Sequence, residues 1–157
     1  MTQGNDQDKS NNKSINNLFC YDIDGIHIII ESGIKIEVLE QSTVYPIPNA
    51  PKWFLGVTSL RGDILIVLNM YFLLNRPQNT NFKYLLKMKH PDFPALTIAV
   101  DNLPYQQNMD KLIANNQKNN NRYPKWIKSS SKQNGQIFLF AEHFILFQAM
   151  QNNLLSS

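Results

Sequence analysis

The hydrophobic positions of this chain fall in short runs separated by turn-forming residues, the pattern that the strands of a β-protein produce. Residues 18–30 contain two such runs around Asp24-Gly25, a pair that supplies the positive φ angles a tight hairpin needs. In residues 34–39 apolar and polar side chains mostly alternate, which predicts a half-buried strand that exposes Lys35 and Glu37.

Residues 44–51 contain three prolines, which remove backbone donors, so an extended connector is predicted there. Residues 53–60 and 64–68 predict two strands with a turn between them, and the unbroken apolar run of the second predicts a fully buried strand. Asn69 follows at once. Because an asparagine side chain accepts hydrogen bonds from the free amides of a helix start, a short helix over residues 70–74 is expected.

The next strand pair is predicted at residues 82–88 and 96–100, with a loop between them that contains Pro91 and Pro94. Residues 115–122 are nearly all Asn, Gln and Lys, a composition that lacks the apolar side chains of a packed element. This segment is therefore predicted to be a long mobile loop.

The last clear strand is predicted at residues 137–140, followed by an apolar-rich helix over residues 141–150. Residues 67–74 can be laid over residues 139–146, since both run from a strand end through a cap position into an aromatic helical turn. This faint internal repeat suggests two related half-domains.

Composition limits the classes of function. The chain has 157 residues, of which 43% are hydrophobic and 17% are charged, enough for one domain with a sizeable core. Its formal charge of +3 says little, because Lys and Arg are spread from Lys9 to Lys132 rather than clustered. No nucleic-acid partner is therefore expected from composition.

The ends of the chain are polar, and no apolar run approaches the length that spans a bilayer. We expect a disordered polar tail over residues 1–17, one domain over residues 18–150 and a polar C-terminal tail over residues 151–157. Cys20 has no partner for an internal disulfide, which fits a reducing compartment. The sequence thus predicts a soluble cytoplasmic protein.

Catalytic spacings are missing from the sequence. His27, His90 and His143 lie near no nucleophile and match no metal-binding motif, so structural or surface roles are expected for them, and Cys20 is expected in the core. No nucleotide, zinc or hydrolase signature occurs, so neither an enzyme nor a cofactor nor a metal is predicted. The serines of residues 129–131 have lysines on both sides, which suits an anion site, although a solvated loop is the favoured interpretation.

Residues 49–62 combine a rigid proline entry, two aromatic side chains, Gly56 and a single arginine, Arg61, at a tight turn. Arg and Trp often anchor protein interfaces, so this segment is a candidate protein-binding edge, with Trp53 and Phe54 as candidate interface aromatics. The alternative is an ordinary strand pair that places Trp53 in the core.

This segment also resembles the CheW family of chemosensory coupling proteins. The positions that carry the resemblance are Pro51, Phe54, Gly56, Val57, Leu60, Arg61, Gly62, the apolar strand of residues 64–68 and the cap position Asn69. The upstream hairpin, the strand with Glu37 and the Val-Asp end of residues 96–101 also fit the family, and the likeness covers roughly residues 18–147.

The resemblance implies an all-β fold of two five-stranded, SH3-like β-barrel subdomains with short helices, and no catalytic activity. It implies an adaptor between the regulatory domain of a CheA-type histidine kinase and the cytoplasmic tip of a chemoreceptor, located at receptor arrays beneath the inner membrane. The implied receptor-facing groove consists of Lys35, Glu37, Gly56, Val57, Leu60, Arg61 and Gly62.

Several positions depart from the family pattern. Ile66 stands where proline is frequent, Asn69 replaces an aspartate, and Lys35 occupies a position beside the groove that is often apolar. Residues 126–128 lack the glycine that commonly follows there. Together with Trp53, this divergent second half is more similar to the PilI branch, which implies a role in type IV pilus twitching motility.

A second class of function stays open at this point: a small β-barrel that binds single-stranded nucleic acid by stacking bases on aromatic side chains beside lysines. Its candidate residues are Tyr84, Tyr105, Tyr123 and Trp126, with Lys83, Lys87, Lys125 and Lys128.

Overall fold

The computed structural model describes residues 16–40, 42–77 and 81–152, so most of the two predicted tails lies outside the described residues. The described elements, in chain order, are β1 (Asn17–Ile23), β2 (Ile26–Ile29), β3 (Lys35–Leu39), β4 (Phe54–Leu60), β5 (Asp63–Leu68), α1 (Met70–Leu73), β6 (Tyr84–His90), β7 (Phe93–Val100), β8 (Tyr105–Asn108), α2 (Asp110–Ala114), β9 (Gln117–Lys118), β10 (Ile127–Gln133), β11 (Gln136–Ala141) and α3 (His143–Gln151).

The described strands form two sheets, which confirms the mostly β prediction. One sheet has the order β8-β1-β2-β11-β10-β9 and the other has the order β3-β6-β7-β5-β4. The predicted count of five strands in each half is thus correct for one sheet, and the two-residue strand β9 adds a sixth to the other. Neither sheet closes into a complete barrel.

Each sheet takes strands from both halves of the chain. β2 pairs in parallel with β11, and β5 pairs in parallel with β7, whereas the other strand pairs are antiparallel. The connection from β2 to β3 leaves the six-stranded sheet for the five-stranded one, and the connection from β7 to β8 returns. The two halves therefore cannot separate without breaking strand pairs.

The local signals of the first half predicted its elements well. The hairpin at Asp24-Gly25 joins β1 to β2, and the Asn69 side chain accepts from the Phe72 amide at 3.2 Å to start α1. At the two ends of the predicted domain the elements extend slightly further than expected: β1 begins at Asn17, and α3 extends through Gln151.

Strand β5 needs a correction, because it is not fully buried. Ile64 is 76% exposed and Ile66 is 37% exposed, whereas Leu65 and Val67 are buried. The strand is covered on one side only as far as Ile66, whereas Leu68, on the same side as the two isoleucines, is buried in the main core.

The polar second half also needs corrections. Residues 115–122 are not a free loop: they include β9, and the Asn119 side chain donates to the carbonyl groups of Tyr123, Pro124 and Ile127. The serine run lies in β10 rather than in a solvated loop, with Ser129 and Ser131 buried. Similarly, the loop at residues 90–94 is shorter than predicted, since β6 reaches His90 and β7 begins at Phe93.

The main core lies between the sheets and the helices. Its largest fully buried side chains are Tyr21, Tyr71 and Phe147, and it includes Trp53 and Trp126. Two smaller clusters pack on the sheets themselves. Cys20 and Ile29 belong to the cluster of the six-stranded sheet, and their counterpart in the five-stranded sheet contains Leu39 and Leu85.

The internal repeat is real, but its spacing is 73 residues rather than the predicted 72. The Asn69 amide donates to the Trp53 carbonyl at 2.8 Å, and the Glu142 amide donates to the Trp126 carbonyl at 2.7 Å. Each contact joins the start of a helix to the residue before a hairpin, so β4, β5 and α1 correspond to β10, β11 and α3.

Candidate functional site

Gly56 fixes the geometry at the start of the β4–β5 hairpin. Tyr45 in the connector and Val57 in β4 exchange backbone hydrogen bonds of 2.8 and 2.9 Å, which brings the Tyr45 carbonyl close to the strand. Gly56 has a φ of +152°, and a Cβ atom added there would lie 2.4 Å from the Tyr45 carbonyl oxygen. The backbone approach therefore requires glycine.

Arg61 and Glu37 form an ion pair at the far end of this hairpin. The Arg61 Nη2 atom donates to Glu37 Oε1 at 2.7 Å, with 67% of the arginine side chain and 38% of the glutamate side chain exposed. The hydrogen bond from Arg61 is the main reason that the pKa of Glu37 lies below its ordinary value, and the charges of Lys87 and Lys89 lower it further. Arg61 itself has a φ of 49°, so the turn holds the arginine backbone in the left-handed region.

The five-stranded sheet is curled, because Leu39 on β3 and Leu60 on β4, its two edge strands, pack against the same small core. Glu37 lies on β3, at one edge of the sheet, and Arg61 lies in the turn between β4 and β5, at the other edge. Adjacent strands are about 4.8 Å apart, so β3 and β5 would be roughly 14 Å apart in a flat sheet. The curl brings the two edges within reach of one side-chain pair.

The register of β3 with β6 gathers three lysines around this pair. Lys35 lies directly opposite Lys89, and Glu37 lies directly opposite Lys87. We call these four residues and Arg61 the cationic face. Lys35 and Lys89 are exposed, whereas Lys87 is 8% exposed.

The remaining predicted groove residues have other surroundings. Val57 and Leu60 are half-buried, and Leu60 packs against the small core of the five-stranded sheet, while Gly62 is exposed in the turn. The structure thus gathers Lys35, Glu37 and Arg61 on one surface, whereas Gly56 shapes the hairpin backbone.

Trp53 requires a correction as a candidate interface aromatic. Its side chain is 9% exposed and belongs to the main core, where its ring meets that of Phe54 edge to face. The residue follows the proline connector, and its carbonyl anchors the start of α1, so the chain turns the indole inward. Phe54 is half-buried and packs against the same core.

Lys87 and Lys89 are the members of the cationic face that the groove prediction lacked. Their spacing of two along a strand indicates a shared face. Their position opposite Lys35 and Glu37 depends on pairing between segments about fifty residues apart. From the sequence alone, only the spacing of these two lysines along the strand could be recognised.

A separate apolar surface lies on the other side of the five-stranded sheet. Ile64 and Ile66 alternate with Leu65 and Val67, and the latter two belong to the small core that Leu39 and Leu85 share. Leu39 is in phase with Lys35 and Glu37 along β3, so the exposed isoleucines point away from the cationic face. We call Ile64 and Ile66 the isoleucine patch.

The polar groups of the six-stranded sheet are engaged with one another. Asp22 pairs with the His27 Nδ1 atom at 2.6 Å and accepts from the hydroxyl of Tyr105 at 3.0 Å and from the side-chain amide of Asn102 at 3.1 Å. The His27 ring also stacks on Phe138 at a centroid distance of 4.7 Å.

A second internal network holds α3 in place. His143 is fully buried, with its Nε2 atom 2.7 Å from the Tyr21 hydroxyl and its Nδ1 atom 2.9 Å from the Glu31 carboxylate. Burial is the main reason that the pKa of Tyr21 is raised well above its ordinary value, and the Glu31 charge adds to it. A substrate has no access to this histidine, so the network is structural.

Three further properties can be checked in the described part of the chain: metal binding, membrane-spanning helices and base stacking. Residues 16–40, 42–77 and 81–152 contain no group of three or more His, Cys, Asp or Glu side chains placed to hold a metal ion. Their helices include none that is long and apolar enough to cross a membrane. Of the aromatic side chains considered for stacking on bases, Trp126 is buried and the Tyr105 hydroxyl is bonded to Asp22.

Comparisons with known proteins agree with this architecture. Over 58 residues, or 37% of this chain, the sequence is 31% identical to the protein FrzA of Myxococcus xanthus, and the match spans 36% of FrzA, about a third of that relative. The fold is similar to the crystal structure of the scaffolding protein TtCheW from Thermoanaerobacter tengcongensis, with a TM-score of 0.62 and 11% identity, over 80% of this chain and 87% of that one. The family model described as the CheW-like domain matches residues 18–149, and the chain therefore belongs to the CheW-like domain family.

Proposed function

We propose that this protein is a noncatalytic signalling adaptor that couples a chemoreceptor to a CheA-type histidine kinase. The observation that carries the proposal is the Glu37–Arg61 pair, which a member of the CheW-like domain family presents on the open surface of a curled sheet. An exposed ion pair contributes little to stability. Binding of a partner, rather than stability, therefore explains why Arg61 is held in a left-handed turn and oriented by a carboxylate.

An adaptor must contact two partners at once, and the five-stranded sheet offers two separate surfaces. We assign receptor docking to the cationic face and kinase docking to the isoleucine patch, which lies on the opposite side of the same sheet. Ile64, which is 76% exposed, and Ile66, which is 37% exposed, offer neighbouring apolar area that a partner can bury. Because the surfaces face apart, both partners fit at the same time.

The proposed site of action is the cytoplasmic receptor array beneath the inner membrane, and the proposed output is type IV pilus twitching. The support for the pilus branch is the similarity of Trp53 and of the divergent second half to the PilI proteins. The second half carries Ser129 at the position that corresponds to Gly56. This missing glycine is part of the divergence on which the assignment to the pilus branch rests.

Binding to a receptor-tip fragment and to the kinase regulatory domain tests the proposal directly. Arg61→Glu places two carboxylates side by side, and we expect it to weaken receptor binding by about tenfold or more, as for an interface anchor. Lys132→Glu makes the same change of charge on the exposed side of the corresponding hairpin and should bind as the wild type does. Calorimetry that gives equal receptor affinities for wild type and Arg61→Glu would refute the role of Arg61.

The second surface has its own variant. Ile64→Ser removes the most exposed apolar side chain of β5, and we expect a loss of about tenfold in affinity for the kinase domain with receptor binding unchanged. A wild-type protein that is folded and binds neither partner would overturn the adaptor function itself.

A further inference from the structure

The cationic face carries more positive charge than its own residues neutralise. Four of its five members are cations, and Glu37 is the single carboxylate among them. That carboxylate already accepts from Arg61 at 2.7 Å. Among the described residues, neither Lys35 nor Lys89 forms an ion pair, although the charge of Lys89 acts on Glu37 from a distance.

Strand pairing holds these two lysines together. Lys35 and Lys89 are direct partners in the antiparallel β3–β6 ladder, where side chains of opposed residues start about 5 Å apart. Like charges in this position destabilise a sheet. The free protein therefore bears a repulsion that a carboxylate bound between the two ammonium groups would relieve.

Space for such a group exists beside the lysines. An open cavity of about 310 Å³ is lined by Gly33, Lys35, Lys89, His90 and Pro91. Its lining shares Lys35 and Lys89 with the cationic face, and Lys35 projects from the same face of β3 as Glu37. The cavity has room for one side chain of a docked segment.

We propose that the receptor segment docked on this face carries an acidic side chain whose carboxylate binds between Lys35 and Lys89. The inference rests on the proposed function, since it names the chemistry of the partner at the same face. It also gives Lys35 a role, because a lysine at this position selects an acidic partner over an apolar one.

The chemistry of the face favours a carboxylate-bearing polypeptide over a nucleic acid. Glu37 lies in the middle of the cations and would repel a phosphate backbone that passed over them. The aromatic side chains considered for stacking do not join this face. Tyr84 lies on β6 but is out of phase with Lys87 and Lys89 and packs against the main core, while Trp126 is buried and Tyr105 is hydrogen-bonded to Asp22.

Affinity for a receptor-tip fragment at two salt concentrations tests the inference. We expect wild-type affinity to fall several-fold between about 50 and about 500 mM salt, because exposed charges are screened over that range. The double variant Lys35→Gln/Lys89→Gln should lose about tenfold in affinity at low salt and most of the salt dependence. Lys128→Gln/Lys132→Gln, which removes two exposed lysines of β10, is the matched control and should behave as wild type.

The variants also distinguish a failure of the acidic-partner inference from a failure of the proposed adaptor function. Removing the repulsion should leave the melting temperature of the double variant equal to or above that of the wild type, which excludes misfolding as the cause of weaker binding. If Arg61→Glu weakens binding and Lys35→Gln/Lys89→Gln does not, the acidic-partner inference fails and the adaptor function stands. If the fragment binds no variant and not the wild type, both fail.

Competition identifies the class of ligand. Hexaglutamate should displace the receptor fragment from the wild type and have no effect on the double variant at the same concentration. A single-stranded DNA oligonucleotide that displaces the fragment more effectively than hexaglutamate would overturn the proposal in favour of a phosphate ligand.

Discussion

The two related hairpins of this protein share a backbone arrangement but carry different residues at the bulge and at the turn. Both begin after a tryptophan whose carbonyl anchors a helix start, and both carry a β-bulge at their first residues. At the bulge the first hairpin has Gly56 and the second has Ser129; at the turn the first has Arg61 and the second Asn134. The arginine and its carboxylate partner thus belong to one copy only.

The two sheets also differ in whether their charged side chains are exposed or bonded to one another. The five-stranded sheet holds Lys35, Lys89 and Arg61 on an exposed face, whereas the six-stranded sheet directs Asp22 and His27 towards each other. The difference teaches where substitutions should act. Changes on the first face should alter binding with little effect on the fold, and changes in the second network should alter the fold.

The largest expected effect lies at the bulge. Gly56→Ala adds a Cβ atom 2.4 Å from the Tyr45 carbonyl oxygen at a φ of +152°, so either the connector or the strand must shift. Overpacking and backbone strain together should lower the free energy of unfolding by about 3 kcal/mol. Urea denaturation followed by circular dichroism measures this loss.

Ser129→Ala is the matched substitution in the second hairpin. The Ser129 hydroxyl is buried without a hydrogen-bond partner among the described residues, so its removal should change the free energy of unfolding by less than about 0.5 kcal/mol. Similar losses for Gly56→Ala and Ser129→Ala would mean that the two bulges are equivalent after all.

The next effect concerns how the two corresponding helices begin. In α1 the local residue Asn69 caps the Phe72 amide, whereas in α3 the Glu142 side chain makes no cap bond and Glu31, from beyond β2, accepts from the His143 amide at 2.6 Å. Glu31→Ala removes this bond and the contact with the buried His143 ring, so we expect a loss of about 2 kcal/mol.

Two control variants complete that test. Asn69→Ala should cost about 1 kcal/mol, as the loss of a neutral cap does, and Glu142→Ala should be nearly neutral. Thermal unfolding of the three variants in parallel gives the order directly. If Glu142→Ala proved as harmful as Glu31→Ala, the long-range cap would be the wrong description of α3.

Local chemistry explains what could be predicted from the sequence. The turn at Asp24-Gly25, the cap at Asn69 and the hairpin around Arg61 depend on residues close together in the chain, and all three are present. The family resemblance implied that Glu37 and Arg61 belong to one groove, and the structure joins their side chains by a 2.7 Å contact. Their place in a receptor groove stays a prediction.

The rest depends on contacts between distant segments. Ser129 and Ser131 form part of a strand because β11 and β9 pair on either side of β10, which overrides the low strand preference of a serine run. Trp53 is buried because the sheet and α1 close over it, and its sequence environment suited an exposed anchor equally well. The opposition of Lys35 and Lys89 likewise appears only once β3 and β6 are paired.

The smallest expected effect distinguishes the two small cores by pH. Burial, with a smaller contribution from the Asp22 charge, raises the pKa of the Cys20 thiol from 9.0 to about 12, whereas the buried members of the other cluster, such as Leu85, do not ionise. A raised pKa means that the contribution of the neutral thiol is complete below pH 9.0 and is lost as the pH rises towards about 12. At a pH near 10 the wild type should have lost about 1 kcal/mol that Cys20→Ala cannot lose. Subtracting the two urea-unfolding curves cancels the other titrating groups, and a wild-type advantage that stays constant from neutral to alkaline pH would show that Cys20 ionises in the folded protein as it does in the unfolded chain.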